Sequence, residues 1–163
     1  MTGQENLLFN HIGIGVPNLD AAIDFYTKVF GFQVLRLVAR DRVEHPDAPV
    51  FKMYGRQLQK VKVAFLTTGN GIGFEIFEFV DPPYNGQAAG EAKFEDGTYT
   101  QGGFFHIAIT TADIVAVTKR AVEKGGRDIS GVVDIYGNNA SYISDPWGNV
   151  IELMTISYER MNA

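Results

Sequence analysis

Part of this chain is written twice, and the repeat limits what it can fold into more than any other feature does. Residues 10–32, NHIGIGVPNLDAAIDFYTKVFGF, lie over residues 105–127, FHIAITTADIVAVTKRAVEKGGR, at an offset of 95. His11 then falls on His106, Ile12 on Ile107, Ile14 on Ile109 and Gly31 on Gly126. In each copy a histidine opens an alternating apolar run, the pattern of a strand with one buried face. Ile12, Ile14 and Val16 occupy that face in the first copy, Ile107 and Ile109 in the second. The histidines point the other way, beside Gly13, Gly15, Ala108 and Thr110, small residues that leave room for something other than side chains. A helical pattern follows in both copies. Asn18 or Asp20 can cap a helix to about Phe30, with Ala22, Phe25, Tyr26 and Val29 at helical spacing and Gly31 suited to a left-handed C-terminal cap. In the second copy Asp113 is the expected cap, Val117, Ala121 and Val122 form the inner stripe, and Gly125 and Gly126 stop the helix.

A second correspondence lies between residues 61–79 and residues 141–156, with residues 64–79 falling on 141–156 at an offset of 77. Phe65 meets Tyr142, Gly71 meets Gly148, and Glu75 meets Glu152. Both segments read as hairpins with a glycine turn and a glutamate in the second strand. Residues 34–39 supply a further strand, followed by a polar loop around Glu44, His45 and Pro46. Each half therefore reads strand, helix, then two or three strands. The chain is expected to be one α+β domain over 1–163, with module one at about 7–80, a linker at about 81–103 and module two at about 104–158. So long a linker, rich in Gly, Pro and acidic residues, points to a functional or subunit-crossing role.

The repeat singles out His11, Glu75, His106 and Glu152. Imidazole nitrogen and carboxylate oxygen suit Fe, Co, Ni, Mn or Zn without thiolate. In each half the histidine comes from the first strand and the glutamate from the last. A pseudo-twofold between the halves would bring all four to one divalent metal. Glu78 competes with Glu75, but three residues apart on a strand they face opposite ways, and Glu75 aligns with Glu152. His45, in its polar loop, is expected to face solvent. Such a metal would leave two positions for adjacent substrate oxygens and stabilise an enolate, with Glu75 or Glu152 as the proton-transfer base. Phe77, Phe79, Tyr142 and Met154 are the expected substrate contacts; plain core packing is the alternative for each.

Composition removes other classes. Cysteine is absent, which excludes disulfides, thiolate metal sites and a cysteine nucleophile. The charge of −5 shows no basic stripe, so nucleic acid is not an expected partner. Residues 1–10 lack a signal-peptide pattern, and no apolar run approaches the roughly 20 residues of a membrane span. The expectation is a soluble, cytoplasmic protein acting on a small molecule.

HIGIGVPNLDAAIDFYTKVFGF, FHIAIT and SDPWGNVIELM together resemble the vicinal oxygen chelate superfamily, also called the glyoxalase/bleomycin-resistance/dioxygenase superfamily. The resemblance spans nearly the whole chain. It implies two paired βαβββ modules whose sheets curl around a central metal site, in a homodimer that can share each metal between subunits. In the glyoxalase I and methylmalonyl-CoA epimerase branches, the ligands occupy the positions of His11, Glu75, His106 and Glu152. That ligand set implies an isomerase or lyase of a small carbonyl or thioester compound. A metal-dependent dioxygenase and a non-catalytic drug-binding resistance protein are the alternatives. Two departures stand out. Bacterial-type glyoxalase I has an arginine where this chain has Gly15 and an asparagine where it has Phe79, and both losses argue against a glutathione adduct. The epimerase branch has an acidic base in the region where this chain has Asp41 and Glu44.

Overall fold

The computed structural model describes residues 7–86, 98–100 and 102–163. Most of the expected linker, 87–97 and 101, and the start of the chain at 1–6 lie outside the described residues.

The elements in chain order are β1 (His11–Gly15), α1 (Leu19–Phe30), β2 (Gln33–Asp41), α2 (Pro49–Met53), β3 (Lys60–Thr67) and β4 (Gly73–Asp81), then β5 (His106–Thr110), α3 (Ile114–Glu123), β6 (Arg127–Asp128), β7 (Val133–Ile135), β8 (Asn138–Ser144), β9 (Val150–Met154) and α4 (Tyr158–Asn162). This is an α+β fold with two sheets, ordered β1-β4-β3-β2 and β5-β9-β8-β6, with β7 pairing on β8. Two compact units are formed. One holds Gly31–Gly86 with the chain up to Thr27; the other holds Lys28–Phe30 with the described C-terminal half.

In each sheet the first strand of the half pairs in parallel with the last, while the hairpins pair antiparallel. Side chains alternate across a sheet, so one face of the first sheet carries Val16, Ala64, Leu66, Phe74 and Ile76, all buried. Tyr26 and Phe32 pack their rings on Phe74 at centroid distances of 4.6 and 5.4 Å. Each fully buried side chain of this size stabilises the fold by roughly 1.5–3 kcal/mol relative to exposure. Ile143, Ile151 and Leu153 form the equivalent buried face of the second sheet.

The helices begin where the sequence marks them. Asn18 accepts from the Ala21 amide and Asp113 from the Ala116 amide, each satisfying a donor that the first turn leaves open. Gly31 takes φ 74°, the left-handed cap. Its aligned partner Gly126 is needed for a different reason. A Cβ there would stand 2.5 Å from the Ser144 carbonyl oxygen, because the chain passes directly over β8.

Three expectations change. The inner stripe of α3 is Ile114, Val117 and Ala121, whereas Val122 is 48% exposed. Positions three and seven after Ile114 stay on its side of the helix, and Val122 falls off it. The strand expected at 34–39 runs Gln33–Asp41, with a bulge between Val34 and Arg36. The expected polar loop contains a one-turn helix, α2, opened by Pro49, whose fixed φ suits a first helical position.

Asn18→Ala is expected to lower unfolding stability by about 1 kcal/mol, and Asn18→Gly by only a few tenths, in urea denaturation. Equal losses in both would show that the Asn18 side chain is not acting as the cap.

Candidate metal centre

The parallel pairing of β1 with β4 sets Gly13 opposite Glu75, and that of β5 with β9 sets Ala108 opposite Glu152. Each histidine lies two residues before the small residue, so it shares the glutamate's face. His11 Nε2 is 3.8 Å from a Glu75 oxygen, and His106 Nε2 is 3.3 Å from a Glu152 oxygen. Four of the residues read from the sequence thus form two His–Glu pairs, one in each unit. Among the described residues, no group of three or more His, Asp or Glu side chains forms a single cluster.

The histidines are supported differently. His11 Nδ1 lies 2.7 Å from Asn10 Oδ1, an oxygen that can only accept, so the ring proton sits on Nδ1. Nε2 then faces the Glu75 carboxylate. An imidazole nitrogen and a carboxylate oxygen are donor types that a divalent cation takes. Donor atoms bound to one metal at about 2.0–2.2 Å stand roughly 3 to 4 Å apart, so both pairs fit such a group. His106 Nδ1, by contrast, is buried with no hydrogen-bond partner. Its ring is held edge-on by Phe105 and Tyr142, at centroid distances of 4.9 and 5.4 Å.

Tyr142 stands opposite Glu152 in the β8–β9 ladder, as Phe65 stands opposite Glu75 in β3–β4. Its hydroxyl hydrogen-bonds Glu152, and burial first, then that carboxylate, pushes its pKa above the usual phenol value. Met154 shares the Glu152 face and is almost wholly buried. Phe77 and Phe79 share the Glu75 face, stacked at 5.9 Å and 12° and packed on the buried cluster Phe51, Leu58, Val61 and Val63. The room expected beside Gly13 and Gly15 is partly taken by aromatic rings. A Cβ at Gly13 would lie 3.6 Å from Phe77, and one at Gly15 3.8 Å from Tyr84 and 3.9 Å from Phe79. Gly73 has a local role as well: a Cβ there would press to 3.1 Å of the His11 Cβ.

Glu78 belongs to the opposite face. Its carboxylate accepts from the Leu19 amide at 2.8 Å, at the start of α1, and from Lys62 at 2.8 Å. That placement satisfies a first-turn amide and complements the helix dipole, a structural task. Asp41 pairs with Lys60 at 2.9 Å, which holds its carboxyl below the usual range, and His45 lies in an exposed turn.

Two residues on the first sheet escaped the sequence. Arg36 lays its guanidinium 4.5 Å from the Phe65 ring centroid, on the Glu75 face. Arg42 donates to the Leu58 and Gly55 carbonyls and covers the Phe51 ring at 4.5 Å, which fastens α2 and the following loop onto Phe77 and Phe79.

Residues 8–153 match the model of the Glyoxalase/Bleomycin resistance protein/Dioxygenase superfamily. The chain belongs to that superfamily. It is 32% identical over 154 residues to a lactoylglutathione lyase of Arabidopsis thaliana, covering 93% of this chain and 45% of the relative. It is 26% identical over 153 residues to a 2-epi-5-epi-valiolone epimerase of an Actinomyces species, covering 90% and 78%. The chain thus spans under half the length of the plant relative. Among solved structures, a glyoxalase family protein from Bacillus cereus superposes with a TM-score of 0.75 at 21% identity, covering 94% of this chain and 97% of that one. That likeness concerns the fold. Among the described residues, no helix is long and apolar enough to cross a membrane.

Glu78→Gln is expected to cost about 1–3 kcal/mol in unfolding stability, because it weakens a charge-assisted cap and an ion pair, while leaving metal content unchanged. Glu75→Gln should do the reverse. Thermal melts alongside elemental analysis of both variants separate the two roles; metal loss in Glu78→Gln alone would exchange them.

Proposed function

We propose that this chain is a metal-dependent isomerase or lyase of the glyoxalase/epimerase type, acting on a small carbonyl or thioester compound. The observation that carries it is the pairing of His11 Nε2 with a Glu75 oxygen on one sheet face at 3.8 Å, with His11 Nδ1 directed to Asn10. The 3.3 Å pair of His106 and Glu152 repeats the donor types. A catalytic divalent site draws about three or more protein ligands, so each pair alone is half a shell. The two pairs are proposed to complete one shell, within a chain or between the copies of a homodimer. Four ligands of this kind favour the isomerase and lyase chemistries of the superfamily over its dioxygenase and drug-binding members.

When bound, a divalent ion of the Ni, Co, Zn, Mn or Fe kind supplies Lewis acidity towards a substrate carbonyl. The chain's own groups then move the proton. Glu152, or Glu75, takes it from the carbon beside the carbonyl and returns it. Tyr142, kept protonated by burial and by the neighbouring Glu152 carboxylate, would turn its hydroxyl from Glu152 to a substrate oxygen. Phe77, Phe79 and Met154 keep that surface apolar, which strengthens the charge interactions made there.

A glutathione adduct fits poorly, although relatives carry the name lactoylglutathione lyase. Gly15 and Phe79 stand where bacterial-type glyoxalase I has an arginine, for the glutathione carboxylate, and an asparagine. The rings of Phe79 and Tyr84 stand within 3.9 Å of where a Gly15 side chain would begin. A smaller substrate suits this surface better.

Purified protein dialysed against mixed divalent metals is expected to hold about one ion per chain and to lose it in His106→Ala. With a 2-oxo or thioester substrate in D2O, product should carry solvent deuterium, and Glu152→Ala should abolish the exchange. Absence of metal, or oxygen consumption in place of deuterium uptake, would sink this reading. Asn10→Ala is expected to weaken metal binding about 10- to 100-fold, with Asn10→Asp restoring it, in chelator competition. The His11 tautomer, read from 15N shifts of the metal-free protein, should move its proton off Nδ1 in Asn10→Ala.

A further inference from the structure

β2 is the edge strand of the first sheet, and its bulge decides which side chains reach the site face. Val34 pairs with Leu66, on the face packed by α1. Unbroken alternation would therefore put Leu35 on the site face opposite Phe65 and turn Arg36 towards α1. The bulge leaves Leu35 as the extra residue, 68% exposed, and sets Arg36 opposite Phe65 instead. Bulges beside functional sites commonly re-aim one side chain in this way. A single rung of the sheet now reads Gly13, Glu75, Phe65, Arg36, with all four residues on one face.

The guanidinium carbon stands over the Phe65 ring, 4.5 Å from the centroid. A cation held over a ring face leaves N–H donors for a further partner. Among the described residues, no carboxylate forms an ion pair with Arg36. Its counterpart position in the second unit carries no cation: Tyr142, the partner of Glu152, receives the Ile129 and Ser130 amides on its carbonyl. A chain of net charge −5 has thus placed a cation without an ion-pair partner among the described residues on the face, and in the rung, of one proposed metal ligand.

We infer that Arg36 is the specificity-determining contact for an anionic group, carboxylate or phosphate, on the substrate bound beside His11 and Glu75. This rests on the proposed function, from which it takes the place of the reacting carbonyl. A planar fork of donors matches either anion bidentately, and the Phe65 ring draws the guanidinium to this face before the substrate arrives. The neutral half of the same substrate would lie over Phe65 and Phe77.

The test compares matched probes that differ only in the anion: 4-oxopentanoate against 2-pentanone, and dihydroxyacetone phosphate against dihydroxyacetone. Calorimetric Kd values are measured on wild type, Arg36→Ala and Arg36→Lys. Wild type should bind the charged member of at least one pair about tenfold or more tighter, the factor expected for a charge-assisted bond. Arg36→Ala should erase that ratio without changing the Kd of the neutral member, and Arg36→Lys should restore it in part. Preference for 4-oxopentanoate alone assigns a carboxylate, preference for dihydroxyacetone phosphate alone a phosphate. A ratio unchanged in Arg36→Ala overturns the inference, as does weak or equal binding of both members of both pairs. Metal content measured on the same samples keeps the two readings apart. An Arg36-dependent ratio without metal sinks the metal reading alone; intact metal with no Arg36 dependence sinks this one alone.

Discussion

Everything at the candidate site depends on the register between the first and last strands of each half. Gly13 opposite Glu75 and Ala108 opposite Glu152 put a histidine two residues back on the glutamate's own face. A slip of one residue would turn either glutamate into the apolar layer beneath the helix. What forbids the slip is the opposite face. Phe74 and Ile76 on β4, and Ile151 and Leu153 on β9, are wholly buried, so a shifted register would exchange these side chains for charge. Hydrophobic burial on one side of the sheet thereby fixes the polar geometry on the other.

The same division separates stability from chemistry within a single strand. Glu75 and Glu78 are three residues apart and serve opposite faces. Glu78 ties β4 to the start of α1 and to Lys62, whereas Glu75 is free of such duties and faces His11. The site face is itself graded. At one end Phe77 and Phe79 are covered by Tyr54 and the segment that Arg42 pins down; at the other His11 remains half-exposed. An apolar floor running into a polar, accessible end is the arrangement expected of a small-molecule site.

What could be read from the sequence was whatever has a local or a repeated signature. The helix starts at Asn18 and Asp113, the two hairpins, and the alignment of Glu75 with Glu152 all follow from period and from the repeat. The bulge at Leu35 has no such signature, because it is set by how β2 meets β3, and so the face of Arg36 was invisible. The one-turn helix at Pro49 is too short to show a period. Val122 was misplaced because a stripe drawn through Val117 and Ala121 ignores Ile114, whose burial fixes the true face. Gly31 and Gly126 align yet answer different demands, a left-handed backbone in one case and a close approach to the Ser144 carbonyl in the other. A repeat can preserve a residue type while its physical reason changes.

The histidines show how far that divergence goes. The residue before His11 is Asn10, an acceptor that commits the ring proton to Nδ1; the residue before His106 is Phe105, which offers only a ring edge. With Nδ1 buried and unpartnered, His106 lacks the contact that Asn10 gives His11, and its Nε2 faces Glu152 at 3.3 Å. Glu152 in turn lies beside the Tyr142 hydroxyl, whereas Glu75 stands opposite the Phe65 ring. The duplication supplied like ligands; the residues beside them made the two halves unequal partners.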